Sequence, residues 1–397
     1  MLTARLLSKI FKKSGIVLID SQGQKYICGK PDLRNPLTLK LLKKDLNWKL
    51  VLNPDLNFPE AYIRGEIEFE NGSLIDFLNL FFENIGRKEI NIYGYMVKKV
   101  LHAWRFVTNY NLPTKSKKNV KHHYDKGEDL YDLFLDKKHR QYSCAYFLSP
   151  DESLEDAQQN KINHIIKKLD LRPGQKILDI GCGWGGMALQ IAKDTGASVK
   201  GITLSENQFA TAQRRAQEEG LNEKVTFALQ DYRHETNIYD RIVSVGMFEH
   251  VGVNYFPVFF SKTYEILKDT GVFLLHTIGQ RSKPSATSPW IRKYIFPGGY
   301  IPSLSEILQV CEKQNINITD IEILRLHYAQ TLKHWYSNFL KNKNSIIKMF
   351  DERFFRMWEY YLLISQFSFW NMGNVVFQIQ MSKNLNNLPL TRNYIYN

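Results

Sequence analysis

The stretch that most constrains what this chain can fold into is Lys176–Ala192, KILDIGCGWGGMALQIA. An apolar strand (Ile177, Leu178, Ile180) runs into a glycine-dense turn (Gly181, Gly183, Gly185, Gly186) and straight into an amphipathic helix (Met187, Leu189, Ile191, Ala192). Glycine lets the backbone bend sharply and lets a ligand approach with no Cβ in the way. The helix N-terminus behind the turn offers free N–H groups. Strand, glycine turn and helix in this order predict the nucleotide-cofactor loop of a Rossmann-like sheet.

The choice of cofactor turns on two residues' worth of chemistry. Gly181-x-Gly183-x-x-Gly186 satisfies the dinucleotide fingerprint, but Asp179 stands in the strand just before the turn, where it would repel a pyrophosphate and welcome an ammonium. The next strand, Ser198–Leu204, ends without the acid that a dinucleotide's ribose diol wants. S-adenosylmethionine has an amino-acid end and no phosphates, so it suits Asp179. Thr203, Ser205 and Gln208 are then the polar contacts after that strand. Asp231 and Tyr232, at the exit of the strand Val225–Leu229, are candidates to accept from an adenine amino group and to stack on the ring.

Further along, the strand Tyr239–Gly246 leads into Met247-Phe248-Glu249-His250, and Gly271–Thr277 brings His276 to the same edge. Open α/β sheets bind ligands at the C-terminal ends of their strands, so Glu249 and His276 are acid–base candidates. Ser282–Ser303 is a long basic and aromatic insertion (Trp290, Arg292, Lys293, Tyr294, Phe296, Tyr300) and reads as a substrate lid. A helix containing Trp335, an aromatic helix Met349–Phe369 and a last strand Asn374–Met381 follow.

Residues 1–110 read as a small α+β accessory domain, and 111–397 as the catalytic domain. The first thirteen residues place Leu2, Leu6, Leu7, Ile10 and Phe11 near helical spacing beside Arg5, Lys9, Lys12 and Lys13. Such a helix either lies in an anionic bilayer interface or docks on its own domain with a solvated basic face. Gly15–Lys30 reads as a hairpin, LTLKLL and WKLVLN as two further strands, and Leu74, Leu78 and Phe81 as a helix after Gly72. The junction, with Pro113, Lys115, Lys117, Lys118, Lys121, His122 and His123, is a second basic patch. With 53 Lys+Arg against 40 Asp+Glu, a formal +13, the chain favours an anionic partner. No apolar run reaches the roughly 18–20 residues of a membrane span. Cys28, Cys144, Cys182 and Cys311 fit neither a disulfide framework nor a zinc pattern, so no metal is expected, and no signal peptide is visible. The expected setting is cytoplasmic, peripheral on the inner face of the membrane.

With its segments assembled, the chain resembles the cyclopropane-fatty-acyl-phospholipid synthase family. The residues that carry the likeness are HHYDKGEDLYDLFLD, QYSCAYF, LDIGCGWGG, GITLSENQ, YDRIVSVGMFEHVG, LLHTIG, YIFPGGYIPS and HYAQTLKHWY, in the family's order, over about residues 120–380. One departure is Lys126-Gly127-Glu128-Asp129, where the family usually carries a Leu-Gly-Asn-Asp-like run. The resemblance implies an α/β fold: a class I methyltransferase sheet with helical and aromatic lipid-binding insertions. It implies transfer from S-adenosylmethionine to the cis double bond of a phospholipid acyl chain, closing a cyclopropane ring. It assigns a bicarbonate ion, the base for ring closure, to Cys144, Glu249, His276, the Ile278 backbone and Tyr328. By local sequence Cys144 reads only as a packed small hydrophobe. The cofactor contacts it implies are Tyr142, Ser143, Gly181, Gly183, Gly185, Thr203, Leu204, Ser205, Gln208, Asp231 and Tyr232. The implied partner is a phospholipid bilayer with unsaturated acyl chains, and a homodimer is left open. The runners-up are a lipid C-methyltransferase giving a branched or oxygenated chain, and a lipid-binding homologue with a dead site. A nucleic-acid substrate is disfavoured, because Met247–His250 stands where an Asn-Pro-Pro-Tyr-like tetrapeptide would.

Overall fold

A computed structural model describes residues 1–85 and 128–396. The basic junction from Pro113 to His123 and the expected domain boundary at 110/111 lie outside the described residues.

The N-terminal elements are α1 (Leu2–Ile10), β1 (Gly15–Ile19), β2 (Lys25–Gly29), β3 (Thr38–Leu41), α2 (Leu46–Leu52), α3 (Pro54–Ile63), β4 (Ile67–Glu70) and α4 (Leu74–Ile85). The strands form a sheet in the order β2-β1-β3-β4. The hairpin is present, with Ile16 opposite Cys28. The expected strand WKLVLN is instead helix α2. Its apolar residues obey the four-residue spacing of a helix: Leu46 and Leu50 are buried, while Trp48 and Leu52 between and after them are exposed. Helix α3 and strand β4 had no counterpart in the sequence reading.

Helix α1 decides between its two readings. Its apolar face is spent on the domain itself: Ala4, Leu7 and Phe11 are buried, and Phe11 meets Phe77 at 6.3 Å. Asn47 accepts from the Leu2 and Thr3 amides, and Asn84 from those of Lys12 and Lys13. Arg5, Lys9, Lys12 and Lys13 face solvent. In this structure α1 is a docked helix with a basic surface, anchored through Leu7 and Phe11, while Leu2 at its start stays exposed. Phe11→Ala is therefore expected to cost about 3 kcal/mol of stability, read as a lower denaturant midpoint for the N-terminal sheet, with salt-sensitive vesicle binding unchanged. Loss of vesicle binding without loss of stability would restore the anchor reading.

The second sheet is built after α5 (Glu128–Asp132) and α6 (Leu154–Lys168). Its elements are β5 (Lys176–Ile180), α7 (Gly186–Thr195), β6 (Ser198–Thr203), α8 (Glu206–Glu218), β7 (Val225–Leu229), β8 (Tyr239–Val245), α9 (Phe256–Glu265) and β9 (Leu267–Gln280). Then come α10 (Pro289–Tyr294), α11 (Leu304–Lys313), β10 (Asn317–Leu324), α12 (His327–Lys341), α13 (Lys343–Met349), α14 (Glu352–Phe367), β11 (Asn374–Ser382) and α15 (Asn393–Tyr396). The strand order is β10-β11-β9-β8-β5-β6-β7, parallel from β9 to β7, with β11 antiparallel to both neighbours.

Strand residues alternate between two cores. Ile177, Val199, Val243 and Leu274 pack with Ile165 of α6 and Ile191 of α7. Leu178, Ile202, Ile242 and Leu275 pack with Phe259 of α9 and Ile307 of α11. The chain leaves β5 for β6 on one side and returns to β8 on the other. That reversal opens a crevice beyond the strands' C-terminal ends, where such sheets take their ligands.

A third apolar cluster joins the N-terminal elements to α12 and α14. The aromatic segment expected as one helix over 349–369 is broken at Phe350, and α14 restarts with Asp351 accepting from the Phe354 amide at 2.6 Å. Tyr62 donates to Glu359 at 2.5 Å, and Phe82 stacks on Phe367 at 5.0 Å. The insertion after β9 sits in the same junction. Trp290 meets Tyr360 edge-on at 4.8 Å, and Lys293 and Tyr294 both reach Glu60, at 2.7 and 2.8 Å.

Candidate active site

The crevice holds a half-open cleft beyond the C-terminal ends of β5, β6 and β8. Its wall includes Tyr142, Ser143, Asp179, Gly181, Gly183, Thr203, Leu204, Gln208, Asp231 and Tyr232, all sequence candidates, brought together from four separate segments. Two candidates stand outside the wall. Gly185 begins α7, where a Cβ would meet the Phe227 ring at 2.7 Å, so it serves packing. Ser205 caps α8, its Oγ accepting from the Gln208 amide. The Asp231 carboxylate is oriented by Arg233, which donates to both oxygens, at 2.8 and 2.6 Å, and leaves Oδ2 a further acceptor position. Gly181 has φ 86° and lies where a Cβ would strike Met247 at 2.7 Å, so only glycine brings the loop this close to the β8 exit.

One side of the cleft is a strap of chain, residues 136–145, fixed from every direction. The Asp136 carboxylate accepts from the amides of His139, Arg140 and Gln141. Arg215 donates to the carbonyls of Lys138 and Trp184. Gln158 donates to the Ser143 carbonyl at 3.0 Å, and Thr331 accepts from the Ala145 amide at 3.0 Å. Beneath it, Lys161 of α6 donates to Gln141 Oε1 and, at 2.9 Å, to Ser143 Oγ. Lys161 escaped the sequence reading because a lysine in a helix is ordinarily solvated. The available signal was its place in the stripe Leu154, Ala157, Lys161, Ile165, which is buried throughout.

Asp179 is fully buried, and neither carboxylate oxygen has a hydrogen-bond partner among the described residues. Burial pushes its carboxyl up to about 7, and the Lys161 ammonium pulls the other way. A buried, unpartnered carboxylate lining a cleft is a ready acceptor for a ligand ammonium.

The five residues of the implied ion pocket do not line this cleft; Cys144, Glu249 and His276 each neighbour a residue that does. Cys144 follows Ser143, Glu249 stands between Met247 and His250, and the His276 carbonyl accepts from the Gly246 amide. Glu249 Oε1 accepts from the Ile278 amide at 2.6 Å, while Oε2 is buried without a hydrogen-bond partner. Burial raises this carboxyl to about 7 against the pull of the Ile278 amide. The last residues of the insertion brace it, with the Tyr300 amide donating to the Glu249 carbonyl at 2.9 Å. His276 is held neutral by burial. Gln378 Nε2 lies 3.1 Å from its Nδ1, so the ring proton belongs on Nε2. Burial pushes the Cys144 thiol far up, so it stays a neutral donor. Tyr328 lies one helical turn from Thr331, beside the strap, with its ring 4.6 Å from Phe369 and 5.8 Å from Trp335. Tyr142 stacks on Trp335 at 5.1 Å and shares a 2.7 Å hydrogen bond with Tyr361. His250, beside Glu249, is a cleft residue whose pKa burial lowers to about 4.

A seven-stranded sheet with a glycine loop at its switch point and a buried acid before that loop defines a class I methyltransferase fold that uses S-adenosylmethionine. The pattern described as "Mycolic acid cyclopropane synthetase" matches residues 112–379, and the chain belongs to that family. The Escherichia coli (strain K12) protein named cyclopropane-fatty-acyl-phospholipid synthase is 38% identical over 355 residues, 89% of each chain. An Emericella nidulans protein named sphingolipid C9-methyltransferase A is 32% identical over 83% of this chain and 65% of its own. Among solved structures, the cyclopropane synthase MmaA2 from Mycobacterium tuberculosis superposes with a TM-score of 0.64 at 33% identity, covering 67% of this chain and 97% of that one. The mycolic acid cyclopropane synthase CmaA1, solved with SAH and CTAB, gives 0.63 at 32% identity, covering 67% and 97%. The protein is thus an S-adenosylmethionine-dependent methyltransferase of the cyclopropane synthase family.

Proposed function

We propose that this enzyme adds a methylene group from S-adenosylmethionine across the cis double bond of an unsaturated phospholipid acyl chain, with a bound bicarbonate as base. The observation that carries the reading is the buried Glu249–Ile278 pair with its open Oε2, one residue removed from the cofactor cleft, with Ile278, like Tyr142, packed against the apolar cluster that contains Tyr328 and Trp335. When bound, S-adenosylmethionine supplies an electrophilic methyl group and bicarbonate a proton acceptor.

The residues present fit both groups. Asp179 offers its unpartnered carboxylate to the amino group of the cofactor's amino-acid end, and Gly181 and Gly183 give the loop its close approach. For the anion, Cys144, Tyr328 and the Nε2–H of His276 are neutral donors. Ionised Glu249 serves as the acceptor for the ion's own hydroxyl and so fixes its orientation. The aromatic rings of Tyr142, Tyr328, Trp335, Tyr361 and Phe369 exclude water and present π faces to positive charge developing on the acyl chain. An alkene is a weak nucleophile, so holding it close and in line is where much of the barrier is removed.

No helix among the described residues is long and apolar enough to cross a membrane, so the proposed contact is peripheral, on an anionic surface that suits the +13 charge. We further propose the division into an accessory unit, residues 1–110, and a catalytic unit, 111–397.

The deciding experiment incubates the protein with methyl-labelled S-adenosylmethionine and vesicles of unsaturated phospholipid, then measures the acyl chains by mass spectrometry. The expected product is heavier by one CH₂ and lacks the alkene. A chain bearing a methyl branch or a hydroxyl would move the assignment to a C-methyltransferase without ring closure. No labelled lipid, with cofactor binding intact, would end both readings.

A further inference from the structure

Two of the three lysines of helix α6, Lys161 and Lys168, are fully buried. Lys168 is matched by carboxylates, Glu322 at 2.5 Å and Asp320 at 3.6 Å. Lys161 makes no ion pair among the described residues; its bonded partners are the neutral Gln141 and Ser143 side chains. A buried cation on neutral partners is a net cost to folding, and a neutral donor could make the same two hydrogen bonds without the charge. Folding alone therefore gives no reason for a charge at this point.

Its surroundings supply one. The strap it touches carries two cleft residues, Tyr142 and Ser143, and then Cys144. The titratable groups that feel Lys161 come from each element around it: Asp136, His139 and Cys144 on the strap, Asp179 on β5 and His276 on β9. Cys182, in the glycine loop, in turn feels Asp179. Of these, Asp136 already has three amide donors, whereas Asp179 has none. Among the influences on Asp179, Lys161 alone favours the charged carboxylate. We propose that Lys161 is a positioning residue for both halves of the site: it holds the strap from Gln141 to Cys144 in register and keeps Asp179 ionised for the cofactor's amino group. This rests on reading the cleft as the S-adenosylmethionine site.

The consequence is a specific pH dependence of binding. Burial lowers the Lys161 ammonium to about 8 and raises Asp179 to about 7, so near neutrality the two are both charged over a narrow interval. Below it Asp179 takes up a proton and loses its hold on an ammonium. Removing the lysine charge moves the Asp179 titration to higher pH.

The test is calorimetric binding of S-adenosylhomocysteine between pH 6 and 9, which needs no turnover. In the native protein, affinity is expected to weaken as pH falls through about 7. Lys161→Met is expected to bind severalfold more weakly at pH 7, with the midpoint displaced upward. Lys161→Gln keeps hydrogen-bond donors without charge, so it separates the two roles: the same displaced midpoint with a smaller loss of thermal stability. Asp179→Asn should remove the pH dependence. A folded Lys161→Met or Lys161→Gln with the native midpoint overturns the proposal. So does a flat native profile between pH 6 and 8, which decides the matter even if every Lys161 variant fails to fold. A native protein that binds no S-adenosylhomocysteine at any pH sinks the cofactor reading itself.

Discussion

Glu249→Gln is expected to lower turnover by roughly 10²–10⁴-fold, the range for a lost acid–base group, and to leave S-adenosylhomocysteine affinity unchanged. The structure separates the two effects. Glu249 is not a wall residue of the cofactor cleft, and its bonded contact is the Ile278 amide, made through Oε1. Gln keeps that contact through its carbonyl oxygen but places an amide NH₂ where Oε2 now waits for a donor. An ion held there as proposed would lose its acceptor.

The same carboxyl makes activity and stability respond to pH in opposite directions. Its pKa is raised to about 7 by burial, against an ordinary glutamate near 4.3. The acceptor role needs the ionised form, so activity should fall as pH drops through 7. Stability runs the other way. A carboxyl whose folded pKa is raised is most favourable when protonated, so its contribution is full below the unfolded pKa. It is lost as pH rises toward 7, by about 4 kcal/mol at most. Glu249→Gln should remove both dependences at once. Denaturation curves at pH 5 and pH 8, set beside pH–rate profiles, read them independently. Full retained turnover in the variant, or an acid limb that survives it at saturating S-adenosylmethionine, where the titration of Asp179 no longer limits binding, would contradict the assigned role.

The fold was largely legible because its signals are local. The glycine loop, the acid before it and the apolar runs of β5, β6 and β8 are adjacent in sequence, and the sheet order follows from the known hand and connectivity of such units. What was not legible depended on contact across the chain. WKLVLN looks like a strand until Leu46 and Leu50 are seen to share one buried face. The stripe of α1 gives equal support to a bilayer and to a neighbouring helix, and only the positions of Phe77, Asn47 and Asn84 choose between them. Cys144 is inconspicuous in sequence because its surroundings, Thr331 and Tyr328, lie almost two hundred residues away. Lys161 is hidden for the reverse reason: lysines are so often on helix surfaces that one at a buried position passes unnoticed unless the stripe is counted. Asp231 shows the limit of position alone. It lies in the cleft wall as expected, but that Arg233, two residues on, orients its carboxylate is seen only in the structure.

Gly186→Ala is the second substitution with a large expected effect, and it tests the strap. Gly186 opens α7 where the helix passes directly under the strap; a Cβ there would lie 1.9 Å from the His139 carbonyl oxygen and 2.7 Å from its carbon. Neither atom belongs to a flexible side chain, so the collision has to be relieved by moving backbone. The helix is fixed against the sheet by Met187, Leu189 and Ile191, and the strap is fixed by Asp136, Arg215, Lys161 and Thr331. Overpacking of this kind typically costs about 1–3 kcal/mol; if the strap yields, Tyr142 and Ser143 move out of the cleft wall, and if α7 yields, the glycine loop that opens it moves instead. The expected result is a clear drop in melting temperature together with more than roughly tenfold weaker S-adenosylhomocysteine binding, which corresponds to ~1.4 kcal/mol. A double-mutant cycle with Arg215→Met identifies which segment gives way. Arg215 holds the Lys138 carbonyl at 2.8 Å, so cutting it frees the strap to lift. If the strap is the part that moves, the two stability losses should be less than additive, because a strap already released no longer meets the new methyl. Binding should stay lost in the double variant, since release does not restore the wall. Additive losses would place the strain in α7 instead, and unaltered binding in Gly186→Ala would show that the strap does not shape the cofactor seat.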